Sequence, residues 1–491
     1  MVDVPFPLLT APGRVPQAAG GRLINCYPET LPAAAGKPYG YWRTPGLKPW
    51  ATTTGVNFRG ALLVNNLIYA VIDNSVWTFP AAGGAGTQLS GTVLGTGPVT
   101  MARNNALGPD IAIVAPGNGA YWINSRPVAS SPPGTNNAVV SYPNGSGGFI
   151  VGSPSAVTYL LGFFFFTYPN AQVFSSDPDT SANPTNINAL NFATAQSKPD
   201  TLYRPVPYNG QLLLCGANSI EVWGQPVNLT GFPLSYGSTI SRGVVGINAI
   251  AGHDDGFGKG IFFVGDDAKV STLSGYTPTP VSVPDLDLKI EAEPDKTVIT
   301  TAVYVSQGHG VAVVQGPNWC WEYDTTLQTW HERKSHLVEY WRGMFPLLAF
   351  GNTWVCGDRK SGNLAVIDGN TATEFGDPLR MRIETGPLHA FPSKIRINAI
   401  ELYLTKGVGM ATGIDPLQTD PDISISISRD GGQTWSNPRV VKIGRQSLTD
   451  GRVRSAIWGQ AQNQGVRWRL QESAPLSFGF MGADMLVEQL R

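Results

Sequence analysis

This chain is short of charge. Only 14% of its 491 residues are Asp, Glu, Lys or Arg, well below the roughly 25% typical of soluble domains. Its net charge of −1 supplies no global field to attract nucleic acid. The four cysteines, Cys26, Cys215, Cys320 and Cys356, form no C-x-x-C pair, and three sit inside apolar segments. This argues against a disulfide framework or a cysteine zinc site, and reads as buried free thiols in a reducing compartment. Helical periodicity is nearly absent, apart from one turn expected near 285–292. The longest apolar run, 157–168, is too short to cross a bilayer. Met1 to Pro7 lacks the basic region and apolar core of a signal peptide, so synthesis in the cytosol and no membrane span are expected. No G-x-S-x-G, P-loop, H-E-x-x-H or Cys/His nucleophile signature occurs. Neither enzymatic activity nor a cofactor is expected.

What is present is a repeat. Apolar segments begin near Leu67, Ile111, Phe163, Leu212, Ile261, Val311 and Trp354, at steps of about 43 to 52 residues, the usual size of one propeller blade. A second strand-like segment follows each, at 76–79, 120–123, 171–174, 220–223, 270–273, 320–323 and 364–367. Turn formers separate the two, among them Asp73-Asn74, Pro116-Gly117-Asn118 and Gly316-Pro317-Asn318. A hairpin of this size cannot bury both its faces alone, so the hairpins must stack on one another.

The fold class expected is all-β. A β-propeller of six or seven blades spans 51–376, preceded by an extended arm over 1–50 and followed by an antiparallel β-sandwich-like domain over 377–491. The arm is rich in proline, carries no repeat, and is expected to lie extended on something else; the seven hairpins would make six or seven blades, with the arm completing one. Long connections are expected at 125–152, 175–200 and 277–294, the places where a rigid scaffold usually carries its binding function. Beyond residue 380 the alternating strands lose the blade spacing and read as a separate sandwich.

Two motifs in that last part invite a chemical reading. Ser428-Arg429-Asp430-Gly431-Gly432-Gln433-Thr434-Trp435 fits the Asp-box pattern. Ser428, Asp430 and Thr434 would cap backbone groups of a hairpin turn, Gly432 would supply a positive φ, and Trp435 would pack beneath. Asp boxes recur in sialidases, yet this one is single and lies outside the repeats. Nothing in the sequence picks out the carboxylate pair that glycoside hydrolysis needs. The second motif is a basic stretch, Arg439, Lys442, Arg445, Arg452, Arg454, Arg467 and Arg469, with one acid, Asp450. It reads either as a solvated sheet face or as a contact surface for DNA phosphates or an acidic partner. His253-Asp254-Asp255 and Asp266-Asp267 have metal-ligand residue types but no partner cluster at ligand spacing. Trp321, Tyr323, Trp330, Tyr340 and Trp341 read as packing between blades, with a partner-binding patch as the alternative.

Several segments together resemble the packaged-DNA stabilisation proteins, or tail nozzles, of short-tailed bacteriophages. They are Pro5-Phe6-Pro7-Leu8-Leu9, Tyr41-Trp42-Arg43-Thr44-Pro45-Gly46-Leu47, the hairpin from Asn209-Gly210 to Ser219-Ile220-Glu221-Val222-Trp223, and the stretch from Ile423 to Arg469. The resemblance implies a non-enzymatic virion protein forming a homo-hexamer below the portal and its adaptor ring. That ring would extend the DNA channel, retain packaged DNA that passes without sequence-specific binding, and dock tail fibres or spikes and a tail needle or plug. It also implies a place in the virion tail after assembly in the host bacterial cytoplasm, with the basic stretch facing a partner ring rather than the lumen. A carbohydrate-binding or glycoside-hydrolysing propeller is the alternative, told apart by paired acids in a funnel; a monomeric scaffolding propeller is a third, told apart by oligomeric state.

Overall fold

A computed structural model of the protein describes residues 2–106, 108–124, 139–142, 153–180, 185–226, 231–389, 394–461 and 465–490. Seven four-stranded antiparallel arrangements succeed one another along the chain. Each expected hairpin forms the two middle strands of a blade, as in Leu67–Ile72 with Ser75–Pro80 of blade one. An inner strand precedes each hairpin, and in blades one to six an outer strand follows it. The inner strands pack around the ring, and Gly343–Ala349 of blade seven meets Phe58–Val64 of blade one to close it.

Every blade lies between two others, so its middle strands bury both faces and become continuous apolar runs. Phe163–Thr167 of blade three shows this most plainly. Phe164 and Phe166 pack with Ala112, Val114 and Trp122 of blade two. Phe163 and Phe165 pack with Leu212, Leu214 and Trp223 of blade four. Burying each such side chain contributes about 1.5–3 kcal/mol. Tight turns fix the register. Asn209 and Gly210, with φ of 49° and 74°, join Leu202–Tyr208 to Gln211–Gly216 of blade four, the positive-φ pair that two-residue hairpin loops favour.

Several stretches expected to be loops contain strands. The 175–200 connection holds Ile187–Thr194, the outer strand of blade three. The 277–294 connection holds the outer strand Thr277–Pro280 of blade five, followed by the helix Pro284–Glu291 where one helical turn is expected. In the 125–152 connection, Val139–Tyr142 is the outer strand of blade two; 125–138 and 143–152 lie outside the described residues. These three outer strands are paired on one side only, so they need fewer apolar residues and read like loops.

The N-terminal segment is woven into three sheets. Gly46–Thr52 is the outer strand of blade seven, antiparallel to Leu364–Asp368. Gly21–Ile24 lies between the outer strand of blade six, Thr329–Glu332, and Met381–Thr385. It thereby fuses blade six with Met381–Thr385, Arg467–Glu472, Asp422–Ser428 and Arg439–Lys442 into one nine-stranded sheet. Opposite this extension stands a sheet ordered Cys26–Thr30, Tyr39–Arg43, Gly479–Leu490, Lys394–Leu404 and Arg454–Ala461. Leu23, Ile383, Ile400, Leu402, Ile425, Trp458, Trp468 and Phe480 are among the residues filling the sandwich between them.

Candidate functional sites: the Asp box, the basic strands and the arm junction

The Asp box closes the hairpin between Asp422–Ser428 and Arg439–Lys442. Asp430 does the fastening. Its Oδ1 accepts from Ser428 Oγ at 2.7 Å and from the Gln433 and Thr434 backbone N–H groups at 3.0 Å each; its Oδ2 accepts from Thr434 Oγ1 at 2.5 Å. Burial opposes ionisation, but these bonds outweigh it and hold the Asp430 carboxyl far below the usual range. Ser428 Oγ also accepts from Gly432 N at 2.7 Å. Gly432 sits at φ 105°, and a Cβ there would meet Arg467 Nη1 at 2.5 Å. Trp435 departs from the expected packing. The Arg469 guanidinium lies over its ring at 3.9 Å, so it serves as a platform for a cation. With its carboxylate committed to its own turn, the box is a clasp with no free acid for hydrolysis.

The seven basic residues separate into two groups. Arg467 is buried, donating Nε to Thr385 O at 2.8 Å and Nη1 to Pro16 O at 3.2 Å. Arg469 donates Nε to Glu384 Oε1 at 2.8 Å. The other five are exposed. Arg439 stacks on Trp458 at 4.2 Å and donates to Ala456 O and Ile457 O. Lys442 and Arg445 approach Asp420 at 3.5 and 3.8 Å. Arg452 grips both oxygens of Glu401, at 2.8 and 2.5 Å, and its hydrogen bonds lower the Glu401 pKa. Arg454 is the cross-strand partner of Glu401.

The arm junction was not visible in the sequence. Arg43 ion-pairs with Glu472 inside the sandwich and donates to Ala474 O at 2.8 Å. Arg333, fully buried beside blade six, bonds Thr44 Oγ1, Pro45 O at 2.6 Å and Glu374 at 2.8 Å. Arg22 grips Glu332 at 2.8 and 2.6 Å. Apart from Arg333–Glu374, each of these contacts reaches from the first 45 residues to a part of the chain about 300 or more residues away, a distance no motif records. Trp321, Trp330 and Trp341 are buried in the adjoining core, as expected of packing residues, while Tyr340 lies under the Arg359 guanidinium at 4.1 Å.

The remaining candidates have structural partners. His253 is buried beside Arg204, and burial takes its pKa down to about 4 despite Asp254. Asp266 and Asp267 both pair with Arg242, at 3.1 and 3.2 Å. All four cysteines are buried and free; burial pushes Cys215 up to about 12. Among the described residues, no group of three His, Cys, Asp or Glu is placed to hold a metal ion, and no helix is long and apolar enough to cross a membrane.

A propeller fused to a sandwich, with its polar side chains spent on fastening strands together, is a structural protein in construction. Residues 22–372 match the family model described as bacteriophage P22 Gp10, beta-propeller, and 383–485 match bacteriophage P22 Gp10, beta-sandwich. The chain belongs to the P22 Gp10 family of packaged-DNA stabilisation proteins, structural components of the phage tail and not enzymes. Among curated proteins none matches it. Solved structures with a similar course include the WD40 beta propeller domain of Doa1 (9% identity, 65% of this chain and 96% of that one, TM-score 0.41). The computationally designed Ika8 protein is another (10% identity, 65% and 99%, TM-score 0.38), as is PorZ of the Porphyromonas gingivalis type-IX secretion system (12% identity, 74% and 45%, TM-score 0.37). Likenesses at this level carry no information on function.

Proposed function

We propose that this chain is the nozzle subunit of a short-tailed phage tail. Six copies form a ring below the portal and its adaptor ring, extend the DNA channel, help retain the packaged genome, and dock fibres or spikes and a terminal needle or plug. The ring assembles in the host bacterial cytoplasm. The observation that carries this reading is the family match across both the propeller and the sandwich. The arm supports it too, because a conduit under load from packaged DNA benefits from a propeller and sandwich joined through a continuous sheet. Near-neutral charge suits passage, since many Lys or Arg contacts to phosphate would retard the DNA.

The exposed basic residues Arg439, Lys442, Arg445, Arg452 and Arg454 are proposed as a contact to the adaptor ring. The Arg452–Glu401 pair is solvent-exposed, so reversing Arg452 and Arg454 to Glu should cost little stability. It should abolish docking to the adaptor, and intact docking would remove these residues from the interface. The whole reading is tested by mixing the purified chain with genome-filled, tailless capsids and imaging them by electron microscopy. A six-fold ring at the single portal vertex, with DNA retained, is expected; no density at that vertex would overturn the reading.

A further inference from the structure

On the outer face of the nine-stranded sheet, cross-strand pairing sets Arg22 opposite Glu384 and Glu384 opposite Arg469; Ile24 stands opposite Arg382. Arg467 lies one alternation away on the strand of Arg469, with its Nη2 3.9 Å from Glu384. Four guanidiniums therefore face three carboxylates: Glu332, already gripped by Arg22, Glu384, and Glu339, whose charge reaches Arg22 and Arg382. The excess is concentrated on partly buried groups, where it is poorly screened. Side-chain exposures are 27% for Arg22, 28% for Arg382, 25% for Arg469 and 5% for Arg467. Burial first, and then Arg469, Arg22 and Arg380, lower the Arg382 pKa against the pull of Glu384, as befits cations held together without enough counter-charge.

Two further observations point to a ligand here. Arg467 Nη2 is buried and has no hydrogen-bond partner, the Glu384 carboxylate standing 3.9 Å away, and a buried donor without a hydrogen bond is costly. Just past the end of the strand that carries Thr385 opens a groove of about 410 Å³ lined by Phe6, Pro7, Ala19, Gly386 and Leu388 among others, with none of the four arginines in its wall. The acceptors that hold Arg467, Pro16 O and Thr385 O, adjoin this wall.

We propose that the groove and the arginine cluster form one docking site for an extended peptide from another virion protein, with an apolar residue in the groove and a carboxylate on Arg382 and Arg467. The carboxylate's charge complements the surplus of guanidinium, and the planar fork of arginine matches its two oxygens. A peptide fits better than DNA. A carboxylate on a flexible stem reaches donors that are only 28% and 5% exposed, whereas a duplex backbone meets protruding tips such as Arg452 and Arg445, which are 61% and 71% exposed.

The test uses the purified full chain, so it is decided independently of the capsid experiment. A fluorescent twelve-residue peptide of alternating Leu and Glu is titrated in low salt, beside inorganic phosphate and a short DNA duplex. Saturable peptide binding is expected, weakened about tenfold by Arg382→Gln, which removes a guanidinium that donates to Gln471 and pairs with Glu384, and separately by Leu388→Ser in the groove wall. Arg467→Met serves as a stronger variant where it folds. Peptide binding unchanged by Arg382→Gln, or no peptide binding, would overturn the proposal. So would phosphate or duplex binding in its place, which would reassign the cluster to an isolated anion or to DNA.

Discussion

Blades one to six and the sandwich are held together by opposite strategies. Each of those blades takes its four strands from consecutive residues, such as 202–240 for blade four. The sandwich and blade seven are assembled from both ends of the chain, through Gly21–Ile24, Cys26–Thr30, Tyr39–Arg43 and Gly46–Thr52. The consecutive blades are cemented almost wholly by apolar side chains. The junction uses ion pairs between distant residues, the buried Arg43–Glu472 and the partly buried Arg22–Glu332 among them. Local pairing closes short loops cheaply; long-range pairing closes loops of hundreds of residues, so its partners need specific, directional contacts to find register.

The sharpest way to break this contrast is to remove residues 2–45 and keep the blade-seven strand from Gly46. Limited proteolysis followed by mass spectrometry should show the sandwich digested and blades one to five protected. A sandwich that stays resistant would mean the arm is dispensable. Next in size, Arg43→Met leaves Glu472 buried without its partner and should cost about 3–5 kcal/mol in urea unfolding. Adding Glu472→Leu to that variant should recover most of the loss. Equal losses for the single and double variants would mean packing, not charge, is at work there.

Asp430→Ala removes the clasp of one hairpin and should cost about 2 kcal/mol, with hydrogen exchange accelerated in 422–442 and unchanged in the blades.

The smallest effect expected is on pH dependence. His309 Nδ1 lies 2.7 Å from Asp324 Oδ2. That hydrogen bond raises the His309 pKa against burial. Burial would raise Asp324, but His309 and the Thr326 N–H outweigh it and lower it. The His309 contribution is therefore complete below its ordinary value of 6.5 and lost as pH rises through its raised pKa. The Asp324 contribution is complete above 3.8 and lost on acidification. The pair stabilises most between those two values. His309→Gln should flatten the fall in stability above neutral pH by about 1 kcal/mol or less; an unchanged slope would assign it to other groups.

The same contrast explains what the sequence revealed. The seven hairpins were legible because a strand buried on both faces has to be apolar throughout, as in Phe163-Phe164-Phe165-Phe166, and because turn residues such as Asn209-Gly210 mark where it reverses. Outer strands such as Ile187–Thr194 looked like loops, since only one edge is paired. The Asp box was legible because its bonds join residues two to four apart. The destiny of the basic stretch was not. Arg467 and Arg469 look like Arg452 and Arg454 in sequence, each pair flanking one buried residue, Trp468 or Val453. Only the placement of Glu384 and Pro16, far away along the chain, makes the first pair internal.

The central claim is that the first fifty residues are part of the folded framework of both halves. Native-state hydrogen exchange of the full chain tests it directly. Amides of Leu23, Ile24, Tyr41 and Leu47 should exchange as slowly as those of Ile425 and Leu470 in the sandwich core. Exchange of the N-terminal amides within seconds, with the core still protected, would contradict it and return the segment to a loosely attached arm.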